Sequence, residues 1–161
     1  MALPAPSHAN NWHQDFIVRV VDAFARVTGG DLIAEAGLDP AMPTSGSLGK
    51  SVWDGNFALL THDTNAILTY GNRFTLDLWE MDWETLVQTP SRLTAPEEDR
   101  AARAVIMAQV ERDGFTRSYT GRRVSRSGKF FLIENAAVFT LTDEKGAGFG
   151  TGAFFKSVTR L

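Results

Sequence analysis

The last third of the chain is three strand-like runs, Phe115 to Val124, Lys129 to Thr142 and Gly148 to Val158. They are parted only by Ser125-Arg126-Ser127-Gly128 and Asp143-Glu144-Lys145-Gly146. Short polar turns carrying glycine leave such runs little choice but to pair as antiparallel hairpins. Two shorter runs lie upstream, Phe57-Ala58-Leu59-Leu60 and Ala66 to Tyr70, flanking the turn-like His62-Asp63-Thr64-Asn65. Together they predict a five-stranded antiparallel sheet. Helical periods before and between the two groups give the order helix, two strands, several helices, three strands. The fold class that follows is α+β, with helices over one face of the sheet and an extra N-terminal helix.

That extra helix is predicted over Gln14 to Thr28, where Ile17, Val20, Val21, Phe24 and Val27 recur at helical spacing and Gly29-Gly30 ends the pattern. Residues 1–13 read as a flexible lead-in, residues 30–54 as a connector with a short helix at Asp31 to Ala36, and residues 55–161 as the α+β domain. Short helices are expected at Arg73 to Trp79 and at Asp82 to Gln88, the second capped by Asp82. Thr94-Ala95-Pro96-Glu97 carries a capping-box pattern. It predicts a helix running to about Arg112 that buries Ala102, Val105, Ile106 and Val110.

The chain has no cysteine, which removes disulfides, thiolate nucleophiles, thiolate-held metals and cysteinyl-flavin adducts. Its formal charge of −3 argues against coating a nucleic-acid backbone. Met1 to Trp12 has neither the basic start nor the apolar run of a secretory signal, and no window approaches the length of a membrane span. The expectation is a soluble, cytoplasmic protein.

Several separated blocks carry a family likeness: Tyr70-Gly71-Asn72, Leu78 to Glu84 (LWEMDWE), Pro90-Ser91-Arg92 and Gly128 to Ala136 (GKFFLIENA). These resemble the MEKHLA domain family, a group with a PAS-like fold, over roughly Phe57 to Phe155. The resemblance implies a sensory or regulatory module without an output domain of its own, binding a small molecule, mediating protein–protein contact, or both. It also implies dependence on a homodimer or a signalling partner protein. The cofactor stays unknown. Haem is disfavoured, because the helix after Pro96 has no histidine where haem-binding PAS domains commonly carry one.

A pocket between sheet and short helices is placed near Tyr70, Asn72, Trp79, Arg92, Tyr119, Glu134 and Asn135. Glu134 and Asn135 interrupt an apolar strand, and strict alternation puts Asn135 on one face with Phe131, Ile133, Ala137 and Phe139. Arg92 is expected to pair with Glu134 and pin the helical layer to the sheet. Arg122, Arg123, Arg126 and Lys129 cluster around one hairpin, either as a solvated end or as an anion or acidic-partner site. Gly148 to Gly152 reads as an irregular sheet edge or a close approach to a partner.

Gly46 to Ser51 ends like a phosphate-binding loop but lacks the first glycine and a preceding strand. No acidic cluster at metal-ligand spacing surrounds any histidine. His62-Asp63 reads as a turn. The alternative is a base in a small cone-shaped α+β enzyme of the isomerase or dehydratase sort. A purely structural dimerisation domain is the third reading.

Overall fold

The computed structural model of the protein describes residues 3–41 and 47–161. Gly46, which opens the loop-like segment, lies outside the described residues. The motif's remainder opens a helix instead of cradling a ligand: a Cβ on Gly49 would lie 2.7 Å from the Trp12 carbonyl. Helices are named α1 (Gln14–Thr28), α2 (Leu32–Glu35), α3 (Leu48–Trp53), α4 (Arg73–Trp79), α5 (Trp83–Leu86) and α6 (Arg100–Asp113). Strands are β1 (Ala58–His62), β2 (Leu68–Gly71), β3 (Phe115–Val124), β4 (Phe130–Thr142), β5 (Gly148–Phe155) and β6 (Ser157–Arg160).

The sheet is antiparallel throughout, in the order β2-β1-β5-β4-β3. β5 pairs with Ala137 to Thr142 of β4, and β6, resuming after Lys156, pairs with Phe131 to Glu134. One broken strand thus fills one position, as the five-strand reading expects. The glycine-rich segment is not an edge but part of the central strand β5. Its glycines allow close packing: a Cβ on Gly152 would lie 2.8 Å from the Phe139 ring.

α1 has the predicted bounds, because its apolar period ends where Gly29 turns left-handed at φ 74°. Ile17, Val20, Ala23 and Phe24 are each 0% exposed, and Phe24 meets Phe139 of β4 edge-on at 5.0 Å. The helix docks on its own sheet, opposite the face that carries α4 and α6. Burying side chains of this size is worth about 1.5–3 kcal/mol each before ordering costs, so this contact anchors the helix.

Four further expectations need correction. Residues 3–13 are tied to the body: Trp83 Nε1 donates to the Leu3 carbonyl at 2.9 Å, and His13 Nε2 donates to the Pro4 carbonyl at 2.8 Å. The Thr94 capping box does not form. Thr94 ends a 3-10 turn (Ser91–Thr94) and gives its hydroxyl to the Ser91 carbonyl, while α6 starts only at Arg100.

Along α6 the predicted apolar face is largely solvent-facing. Val105 is 68% exposed, Ala102 is exposed, Ile106 is half-buried and Val110 alone is buried.

The fourth correction concerns β4, where Asn135 adopts a left-handed φ of 54° and adds a residue to the strand. Gly121 pairs with Ile133 and Tyr119 with Ala136, so two steps on β3 span three on β4. The bulge switches faces. Phe131, Ile133 and Ala136 pack beneath α4, whereas Ala137, Phe139 and Leu141 pack beneath α1.

Candidate functional site

Between the sheet and the layer of α4, the Ser91–Thr94 turn and α6 lies a cavity of about 50 Å³. Strands supply its floor, with Leu60 and His62 from β1, Ile133 and Val138 from β4, and Ala153 and Phe155 from β5. Trp79 forms a wall. Its ring stands edge-on to Phe131 at 5.1 Å and to Phe155 at 6.2 Å, and its Nε1 donates to the Thr94 carbonyl at 3.2 Å. This bond holds α4 against the turn that closes the cavity. Its mouth opens beside α6, where His62, Arg103, Met107 and Thr151 also line an outer groove of about 690 Å³.

The polar part of the lining is basic. Arg123, 7% exposed, donates from Nη1 to Tyr119 Oη at 3.2 Å and to the Arg122 carbonyl at 2.8 Å, with its guanidinium 5.1 Å from the Tyr119 ring centre. Arg103 donates from Nη2 to Ser91 Oγ at 3.2 Å. Burial pushes the Arg103 guanidinium down to about 10, and the neighbouring charge of Arg123 pushes the same way. His62 donates from Nδ1 to the Asp63 carbonyl at 2.9 Å, which leaves Nε2 buried with no partner. Burial holds this imidazole below its ordinary value, and the Arg103 charge lowers it further.

Residues 14–160 match the MEKHLA domain family. The chain belongs to that family. Among solved structures, this MEKHLA domain is similar to the PAS domain of a Colwellia psychrerythraea protein, at 14% identity and TM-score 0.63, covering 73% of this chain and 97% of that one. It is also similar to a PAS domain from a two-component sensor histidine kinase, at 19% identity and TM-score 0.56, covering 70% and 91%. A third similar structure is the PAS domain, in complex with ethanol, of a LuxR-family transcriptional regulator from Burkholderia thailandensis, at 12% identity and TM-score 0.53, covering 66% and 94%. At these identities the likeness establishes the fold. No curated protein matches the chain significantly.

The MEKHLA domain separates the residues that sequence reasoning grouped. Trp79 and Tyr119 line the cavity. Tyr70 lies in the cluster beneath α1, against His13, Phe16 and Trp83, with its hydroxyl unpartnered and its ionisation raised by burial. Asn72 is spent on structure. Its Oδ1 accepts from Leu59 N, Thr75 N and Thr75 Oγ1, and its Nδ2 donates to the carbonyls of Val52 and Phe57.

Arg92 is exposed on the Ser91–Thr94 turn and makes no ion pair with Glu134. Glu134 instead accepts from Thr159 Oγ1 at 3.0 Å, because β6 lies beside it, and borders an open surface groove together with exposed Asn135. Asp63 is a turn-former, its Oδ1 accepting from Asn65 N at 2.8 Å and Ile67 N at 3.1 Å.

The basic cluster also divides. Arg122 pairs with Asp99 at 2.8 Å, Lys129 pairs with Glu80 at 3.1 Å, and Arg123 turns inward to the cavity. Arg103 was missed by sequence reading, because it sits among alanines on a helix read by its apolar residues alone. Among the described residues no group of acidic and histidine side chains could hold a metal, and no helix is long and apolar enough to cross a membrane.

Proposed function

We propose that this protein is a regulatory MEKHLA module that binds a small molecule in the cavity between sheet and α6, and passes its occupancy to a partner protein or a second copy in the cytoplasm. The observation that carries the reading is His62, which lines the cavity and whose buried Nε2 has no group of the protein to satisfy it. A bound molecule supplies what the fold leaves out. Regulatory proteins elsewhere use domains of this shape, including the sensor histidine kinase and the ethanol-bound LuxR-family regulator above.

The thin packing of α6 supports the same reading. A helix with Val110 as its one buried residue and Arg103 beside the mouth is free to respond to what fills the cavity. The enzyme reading loses the cone-shaped fold on which it rested, and Asp63, its second candidate base, is committed to a turn. The structural-dimer reading needs an apolar α1 face to offer, and that face is already covered by the sheet.

Native mass spectrometry of gently purified protein, followed by a thermal-shift screen against a metabolite library, tests the proposal. A retained mass or a ligand-dependent rise in Tm is expected, with slower hydrogen exchange along α6 on binding. A protein that retains nothing and that no compound stabilises overturns it.

A further inference from the structure

Buried guanidinium groups normally meet carboxylates, because an unpaired charge taken out of water is costly. This cavity departs from that pattern. Neither Arg103 nor Arg123 makes an ion pair among the described residues, and no aspartate or glutamate lines the space they face. Asp99 and Glu98 are engaged on Arg122, Glu80 on Lys129, Ser125 and Ser127, and Asp63 on its own turn, while Glu111 lines only the outer groove. Every charge on the cavity wall is positive. The neutral partners Ser91, Tyr119 and the Arg122 carbonyl use one terminal nitrogen of each guanidinium, leaving further donors for something else.

We infer that the cavity takes a short-chain organic carboxylate, its oxygens held by the Arg103 and Arg123 guanidiniums and its apolar end against Leu60, Trp79 and Val138. This rests on the reading of the cavity as a ligand site. A planar carboxylate matches the guanidinium fork and supplies the missing negative charge. Size sets the chain length. A cavity of about 50 Å³ has room for about four water-sized groups, which suits acids of roughly two or three carbons and rejects long ones. The mostly apolar floor of Leu60, Ile133, Val138, Ala153 and Phe155 favours a carboxylate with a methyl or ethyl end over a fully hydrated inorganic anion.

The test is calorimetric and thermal-shift titration of the full chain in carboxylate-free buffer. Formate, acetate, propionate and hexanoate are compared with acetamide and ethanol as uncharged counterparts and with nitrate and phosphate as inorganic anions. Acetate or propionate is expected to bind and raise Tm, whereas acetamide, ethanol and hexanoate are not. Arg103→Leu removes one half-buried positive charge beside that of Arg123, so the free protein keeps or gains thermal stability while carboxylate affinity falls about tenfold or more. Where that variant does not fold, Arg103→Lys keeps the charge, loses the planar fork and carries the same expected loss of affinity. Unchanged carboxylate affinity in a folded variant, equal binding of acetate and acetamide, or binding of inorganic anions alone overturns the inference. A protein unmoved by carboxylates but stabilised by another metabolite overturns the inference and leaves the ligand-binding reading standing; one that no compound stabilises overturns both.

Discussion

Gly150 crosses β1 so closely that a Cβ on it would lie 2.0 Å from the carbonyl oxygen of His62, with the glycine at φ 145°. The central strand and the cavity-facing histidine are therefore set by one backbone approach. Gly150→Ala forces either the strand pair apart or the backbone into strain, and is expected to cost about 2–3 kcal/mol. Urea unfolding measures this directly, and a loss under half a kilocalorie would show that β5 can move away from His62 freely.

Asn72 connects more of the molecule than any other polar side chain in the core. It caps α4 through Thr75 N at 3.3 Å and reaches β1 through Leu59 N, and its amide satisfies the Val52 and Phe57 carbonyls at 2.9 and 2.8 Å. Asn72→Ala strands these groups without water and is expected to cost about 3 kcal/mol. Asn72→Asp should be no better, because it turns a carboxylate oxygen toward two carbonyls. Chemical denaturation of both variants provides the check, and a near-native Asn72→Asp would contradict the donor assignment.

Glu80 joins the end of α4 to the β3–β4 hairpin. Its carboxylate accepts from Ser125 Oγ at 2.6 Å, from Ser127 Oγ and from Ser127 N at 3.3 Å, and pairs with Lys129. These partners, the Ser125 hydroxyl foremost, hold its pKa at about 2 against an ordinary 4.5. A carboxyl depressed in the folded state binds its proton more readily when unfolded, so its stabilising effect is complete above the ordinary value and fades as pH falls from 4.5 toward 2. Glu80→Gln should flatten the stability curve over that window relative to the parent protein. Parallel curves in the two proteins would show that the contact is not formed in solution.

How much of this could be read from sequence depends on whether local period or long-range contact decides a residue's role. The bounds of α1 follow from apolar spacing and a glycine stop, both local. The hairpins follow from turn chemistry in the same way. Asn135 defeats the period-two rule because one left-handed residue in mid-strand inserts a bulge, and nothing around it in sequence announces the extra residue. Asn72 was visible as a polar residue at the right place, but its role depends on Val52 and Phe57, which only the fold brings near. The cavity's two arginines were hidden for opposite reasons, Arg103 by its alanine-rich helix and Arg123 by the charged company of Arg122 and Arg126.

The electrostatic character of the cavity can be read on His62 alone. Its imidazole is faced by Arg103 from α6 and shares the cavity with Arg123 and Tyr119 of β3, while Asp63 beside it directs its carboxylate to turn amides. Burial lowers its pKa below the ordinary 6.5, and the Arg103 charge acts in the same direction. The neutral form is favoured by folding, so this group's contribution to stability is full above 6.5 and is lost as pH falls below it. An NMR titration of the His62 ring should give a midpoint below 6.5 in the free protein, rising in Arg103→Leu as one opposing charge is removed. His13 also titrates low, through burial against Trp83, but it stands at the N-terminus of α1, outside the cavity lining, and should not respond to Arg103→Leu. If both histidines move together, the change reports loosening of the whole fold; movement of His62 alone locates the positive field in the cavity.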